Sequence, residues 1–460
     1  MQRTWWIGLF LAFACKSKHE QRETPPPPNP IPKQATKPQL AWRLDLSPGL
    51  PVQAVAAHPQ GACVVGVFGG TISLGGKAVT AVGEGDDNSD GFVACYSADG
   101  KERWAHVLAG PGRDSVRDIA VDKNGDVFIL GGFGGLNVAH PPPTPAELAG
   151  AKLLTVGGGD MVVARFHADG TLVWAKSIGG SDGELEEGIA LTPSGDVIVI
   201  GDAYGELEVA GTKLGKPKGQ DGFVIALHGN DGATVWALPL WGHTGTHAVA
   251  VGPDGSIFVG GYFVGPLTIG GKEYPNAGNE DAFIASIAPD GTARWVQTID
   301  SQGKEGVSGL AADATGLYAV GWFSAEVTVS GAKYAPKGED DGYLMKLALD
   351  GTPAWFHPWG GGARDDLKSV AIGADAILAA GSTGGEQHEE NMKELPGTPV
   401  TVLGPSDGAM VAFTRDGAPM WTQTFGGRGR DWANDVALDA SGAVYVVGKS
   451  DERGVFMMLR

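Results

Sequence analysis

Basic residues are scarce: 34 Lys and Arg stand against 53 Asp and Glu, for a formal charge of −19 over 460 residues. A surface of that sign repels nucleic acid and anionic lipid, so binding through a basic patch is disfavoured and cations or basic partners are favoured. Long apolar runs are absent beyond the first fifteen residues, so no later segment spans a bilayer as a helix. Chemistry-bearing motifs are equally thin. His388-Glu389-Glu390 lacks the H-E-x-x-H spacing of a helical zinc site. Gly179-Gly180-Ser181-Asp182-Gly183 and Gly404-Pro405-Ser406-Asp407-Gly408 fit G-x-S-x-G, but without the strand-turn-helix setting a nucleophile elbow needs.

What is abundant is glycine, 74 residues placed at fixed points of a repeat, which marks a turn-rich β protein. Length alone would suggest about three domains, but a ring of repeats can exceed that prior as one domain.

The first residues read as a targeting segment. Arg3 gives a minimal positive region, Trp5 to Phe13 an apolar one, and Ala12-Phe13-Ala14-Cys15 ends it. This resembles the lipobox of bacterial lipoproteins, which implies lipidation of Cys15; the alternative is an ordinary signal peptide cut after Ala14. Residues 16–39 are charged and then proline-rich, and predict an extended tether. The expected organisation is therefore a signal segment over 1–15, a tether over 16–39 and a repeat domain over 40–460. The protein is expected to be exported and lipid-anchored in the cell envelope, at the outer membrane, touching the membrane only through the anchor.

From Leu40 the chain repeats. Seven tryptophans recur after a turn: Trp42, Trp104, Trp174, Trp236, Trp295, Trp355 and Trp421. Six follow an Asp-Gly pair, a strong hairpin signal because the turn needs φ > 0. A strand centred on Ala (Val55-Ala56, Ile119-Ala120 and their counterparts) and a strand opened by Asp (Asp90, Asp160, Asp221, Asp281, Asp341, Asp407) complete the unit. Each unit holds four strands: A (the Ala strand), B, C (opened by Asp) and D (carrying Trp). Four-stranded sheets repeated radially make a β-propeller, here all-β and seven-bladed. The repeated Trp is expected to pack between blades. The chain opens with a lone D strand, Leu40 to Leu46, and ends with A, B and C, so the first strand is expected to complete the last blade and close the ring.

Asp431 to Gly448, read Asp-Trp-Ala-Asn-Asp-Val-Ala-Leu-Asp-Ala-Ser-Gly-Ala-Val-Tyr-Val-Val-Gly, closely resembles the β-propeller repeat family called SBBP repeats. The resemblance extends through all seven units, departing at the short turn of Gly373 to Asp375 and at Arg453, which replaces the Asp opening C. It implies an exported cell-envelope propeller and no single activity. The Asp-Gly-x-x-x-Trp pattern is also similar to quinoprotein propellers, but those hold their cofactor partly with adjacent cysteines, and Cys63 and Cys95 are far apart in sequence.

Function is expected on the face shared by the D-to-A and B-to-C connections, because the B-to-C connections are long while the opposite turns are tight. Five residues before the A-strand apolar positions stand Asp114, Glu184, Glu305, Asp365 and Asp431, expected to ring the channel mouth as an acidic binding face; capping of turns is the competing role for so regular a set. Asp86, Asn88 and Asp90 fit the first half of a calcium loop, D-x-N-x-D-G, with Ser97 where the bidentate Glu would stand. Cys63, early in B of the first unit, and Cys95, late in its C, are placed by antiparallel pairing to form a disulfide or to remain a buried thiol pair. The expected function is a non-enzymatic binding or scaffold module, monomeric, for a protein or glycan partner. A lyase or hydrolase at the channel mouth, metal-assisted by an ion such as calcium, is the alternative. An enzyme should break the pseudo-symmetry there with titratable residues of perturbed pKa.

Overall fold

The computed structural model describes residues 37–48, 50–82, 89–135, 143–216, 219–384, 391–395 and 398–460, with backbone alone at 47, 48, 391–394 and 398. Among them there is no helix, and seven antiparallel sheets each contain four consecutive blade strands. The A strands are Val52–His58, Ser115–Val121, Glu184–Leu191, Thr244–Val251, Glu305–Asp313, Asp365–Ile372 and Trp432–Leu438, opening blades 1 to 7. Strands B and C are buried on both faces, and their sequences are correspondingly apolar throughout, as in Gly61–Phe68 and Asp160–Phe166. Seven hydrophobic clusters result, each shared by two neighbouring blades. The ring is therefore held at its junctions, not by one central core.

The repeated Trp works at those junctions. Trp42, Trp104, Trp174, Trp236 and Trp295 each donate Nε1–H to a carbonyl in the C-to-D turn of the next blade, at 2.9–3.2 Å. The Gly of the Asp-Gly pair lies under the ring. At Gly170, φ is 88°, and a Cβ would stand 2.7 Å from the Trp104 ring. Glycine thus meets both the turn geometry and the close approach.

The closing blade is assembled from both ends of the repeat domain. Leu40–Pro48 pairs antiparallel with Arg453–Leu459, in a register running from Leu40 opposite Leu459 to Pro48 opposite Arg453. Gln39 N–H donates to the Arg460 carbonyl at 2.7 Å. Trp42 and Leu44 then pack against the cluster shared by blades 7 and 1.

In blade 1, Cys63 and Cys95 are direct register partners on B and C, with Cα atoms 4.0 Å apart, and are joined in a disulfide. Closing a loop of 32 residues contributes about 3–4 kcal/mol in the chain-entropy model. Thiol titration of the denatured, unreduced propeller domain should find neither cysteine reactive; two reactive thiols would count against the bond.

The D-to-A and B-to-C connections share one face, hereafter the loop face. Six B-to-C connections carry a hairpin, from Thr71–Leu74 with Lys77–Thr80 in blade 1 to Asn391–Leu395 with Thr398–Val402 in blade 6. Two of these pair onto the D strand of the preceding blade: Pro145–Leu148 onto Glu102–Ala109, and Leu267–Ile269 onto Thr234–Trp241. They cover outer edges that would otherwise be open. Blade 7 has a tight turn instead, with Asp451 and Glu452 at φ 52° and 60°. Leu40 and Arg460 lie on the opposite face, with the short A-to-B and C-to-D turns.

Candidate binding site at the channel mouth

Every A strand is interrupted by a one-residue β-bulge at the same point. A bulge leaves its extra residue outside the ladder and re-aims the side chain. The residues skipped in the register are Gln53, Arg117, Glu187, His247, Ser308, Lys368 and Asn434, one from each blade in order. All seven line a central cavity of about 570 Å³ that also touches Asp340 and Arg364 of the loop face. The frame repeats and its cavity-facing residues do not: each blade contributes a different polar side chain.

The ring falls into two arcs. Over blades 7, 1, 2 and 3 the groups satisfy one another. Asn434 Nδ2 donates to the Val52 carbonyl at 2.9 Å, Arg117 donates to Gln53 Oε1 at 3.4 Å, and Arg117 pairs with Glu187 at 3.6 Å. Asp118 and Asp435, each one residue past a bulge, accept from Ile189 N–H and Val55 N–H of the following blades, both at 2.8 Å. Burial pushes these carboxyls up, Glu187 to about 8 against the pull of Arg117, Asp118 to about 7 and Asp435 to about 6.

Over blades 4, 5 and 6 the groups are left open. The His247 ring stacks edge-on to Tyr262 at 5.3 Å and lies 5.9 Å from Trp322, without a hydrogen bond to the described protein. Burial and the Arg117 charge hold its imidazole down to about 4, so it is neutral at pH 7 and offers one donor and one acceptor. Ser308 is likewise without a protein partner among the described residues. Lys368 sits 5.4 Å from the Trp432 ring centroid; among the described residues no carboxylate lies within salt-bridge distance, Asp366 acts on it from farther off, and burial pushes its ammonium downward. The other cations nearby are paired: Arg364 with Asp340 at 2.9 Å, and Lys449 with Glu452 at 2.7 Å.

The acidic set expected at the mouth lies elsewhere. Asp114, Glu184, Glu305, Asp365 and Asp431 are 0–3% exposed, and none lines the cavity. Topology puts them on the loop face, but at the blade junctions beneath the loops. Asp114 accepts from Gly134 N–H, Glu184 from Gly180 N–H, Asp365 from Gly361 N–H, and Asp431 from both Gly427 and Asp451 N–H. Ser301 Oγ–H donates to Glu305. Asp114, Glu184, Glu305 and Asp431 also meet the Asp that opens strand C of the preceding blade, because the backbone bridges residue 89 to 113, 159 to 183, 280 to 304 and 406 to 430. Asp90, the third residue of the calcium-like loop, is one of those junction acids: it is fully buried and accepts from Val82 N–H at 2.9 Å, as Asp160 does from Val156. Asp86, Asn88, Cys15 and the His388–Glu390 stretch lie outside the described residues. Among the described residues no three His, Cys, Asp or Glu side chains converge as a metal site.

No family model matches the chain. A distant sequence relative is an uncharacterized WD repeat-containing protein of Acanthamoeba polyphaga mimivirus, 23% identical over 302 residues; the match takes in 52% of this chain and 21% of that protein. The chain thus spans about a fifth of the relative it matches. With the seven-bladed architecture, this relative supports assignment to the β-propeller repeat proteins at that general level. Solved structures with some likeness include a quinohemoprotein alcohol dehydrogenase of Pseudomonas putida (TM-score 0.41, 11% identity, 92% of this chain and 76% of that one) and one of Comamonas testosteroni (TM-score 0.39, 10% identity, the same shares). A europium-containing methanol dehydrogenase gives a TM-score of 0.37 at 12% identity, over 92% of this chain and 86% of that one.

Proposed function

We propose that the protein is a binding module of the cell envelope whose ligand, a glycan or a polar segment of a partner, seats in the channel-mouth cavity. The observation that carries this reading is the bulge ring. Seven equivalent positions of a regular scaffold hold seven different polar side chains, and three neighbouring ones have no hydrogen-bond or ion-pair partner among the described residues. A structural requirement repeated in each blade would call for similar residues, as the junction acids show. A concave site with a few convergent polar groups is the usual form of a ligand pocket. Replacing Ser308 with Trp should plug the cavity while leaving the blade junctions intact. Saturation-transfer NMR against a panel of saccharides and short peptides should give hits with the wild type and lose them in Ser308→Trp at unchanged Tm. Hits that survive the plug would place binding outside the cavity.

The envelope address rests on the resemblance to SBBP repeats and on the lipobox-like Ala12 to Cys15. Cys15→Ala should abolish fatty-acid labelling and release the protein into the soluble fraction. Persistent labelling would contradict lipidation at Cys15.

Catalysis at the same mouth is the second reading, favoured by Glu187. Burial pushes this carboxyl upward against the pull of Arg117, and a carboxyl able to take up a proton beside a cation could act as a general acid of a lyase or hydrolase. Turnover of a bound ligand that disappears in Glu187→Gln while binding persists would select this reading; binding without turnover in the wild type would remove it.

A further inference from the structure

Resting on the cavity reading above, we infer that the ligand is a hydroxyl-rich carboxylate of the uronic-acid class, seated on the open arc of blades 4 to 6 with its carboxylate on Lys368. The cavity holds cations and acids, but the acids are engaged: Glu187 with Arg117, Asp340 with Arg364, and Asp118 and Asp435 with backbone N–H groups of the next blades. Asp366 accepts from Ser382 N–H at 2.8 Å and from its hydroxyl at 2.5 Å. Among the described residues, the ring charge with no carboxylate at ion-pair distance is the Lys368 ammonium, over the Trp432 face, with Asp366 acting on it from farther off. A cation without an ion-pair partner inside a mixed-charge cavity selects an anionic group.

The neighbours of Lys368 define the rest of the ligand. Ser308 on the adjoining blade offers a hydroxyl, and His247 on the next offers a neutral imidazole, able to donate with one nitrogen and accept with the other. Alternating donors and acceptors suit vicinal hydroxyls better than a simple carboxylate or an apolar acid. Trp322, which also lines the cavity, supplies an aromatic surface beside His247 for the C–H face of a sugar ring. Cavity size agrees, since about 570 Å³ holds a short saccharide rather than a folded partner.

Calorimetric titration of the full propeller domain with four probes tests this: glucuronate, galacturonate, glucose as the neutral control, and acetate as the charge-only control. At least one uronate should bind tenfold or more tightly than glucose and acetate. Lys368→Met should weaken uronate binding at least tenfold at unchanged Tm, and Lys368→Arg should restore most of it. Uronate affinity should also fall as salt is raised. Glucose binding equal to the uronates, unchanged affinity in Lys368→Met, or failure of both uronates to bind would each overturn the assignment. None of these results decides the cavity reading itself, which stands or falls with the Ser308→Trp experiment; if that plug has no effect on hits from the wider panel, the cavity reading fails whatever the uronates do.

Discussion

Deleting residues 37–48 should leave a chain that aggregates or melts far below the intact protein, whereas a circular permutant that moves the same strand to the other end should melt within a few degrees of it. Leu40–Pro48 is the outer strand of blade 7, and its loss leaves Arg453–Leu459 as an open edge. It also removes Trp42 and Leu44 from the cluster between blades 7 and 1. Removing large apolar side chains from such a cluster costs about 3–5 kcal/mol for one aromatic alone. Native domains are stable by only about 5–15 kcal/mol, so the effect is severe. The permutant isolates topology from composition. Arg460 and Gln39 are already hydrogen-bonded at 2.7 Å, and the other blades join C to D through short turns such as Ala98-Asp99-Gly100. A similar turn after Arg460, leading into Leu40 to Pro48, with the chain beginning at Val52, makes blade 7 resemble its six neighbours. A truncated protein that melts like the parent, or a permutant that fails to fold, would contradict closure by the first strand.

The second large effect is on pH. At the junctions an Asp opening strand C meets an acid opening the next strand A, and several of their oxygens are buried without a partner among the described residues: Asp90 Oδ1, Asp114 Oδ2, Glu184 Oε1, Asp281 Oδ1, Glu305 Oε2 and Asp407 Oδ1. Two ionised carboxylates cannot share such a site, and one shared proton satisfies both facing oxygens. Burial and the neighbouring acid push Asp114 up to about 7, Glu184 to about 8 and Glu305 to about 7, with Asp90 and Asp407 near 6. These folded-state values exceed those of the unfolded chain, so the folded state binds the extra protons. The stabilisation is complete below the unfolded carboxylate range, about pH 4, and is lost as pH rises through 6 to 8. A three-unit shift corresponds to at most about 4 kcal/mol per group. Summed over the junctions, Tm should be roughly 10 °C higher at pH 5 than at pH 8.5. Glu184→Gln, which keeps a donor toward Asp160 without needing a proton, should raise Tm at pH 8.5 and change it little at pH 5. A Tm that is flat or rises between pH 5 and 8.5, or a Glu184→Gln variant equally destabilised at both, would contradict proton sharing.

The blades were legible in the sequence because their determinants repeat. Trp after Asp-Gly and Asp before strand C recur for the same physical reason in each unit, and strand order followed from their sequence of appearance. The depth of a residue below the loop face was not legible. Asp114 and its counterparts sit on the expected face, yet the loops fold over them, and alternation along a strand cannot show that. The cavity ring was hidden for the opposite reason. Gln53, Arg117, Glu187, His247, Ser308, Lys368 and Asn434 share no chemistry, so they read as noise in the repeat. Their signal was available as a constant offset: each stands three residues after Leu50, Asp114, Glu184, Thr244, Glu305, Asp365 or Asp431, and each is polar. The bulge that turns them into the channel shifts the two-residue period by one, which period counting misses.

A crystallographic soak of small polar fragments locates the ligand seat without presuming its identity. Density is expected in the channel mouth on the arc of blades 4 to 6, with an acceptor within hydrogen-bond reach, about 2.7–3.2 Å, of Lys368 Nζ or Ser308 Oγ. Fragments found only on the outer hairpins or on the face of short turns, with the ring empty, would contradict it.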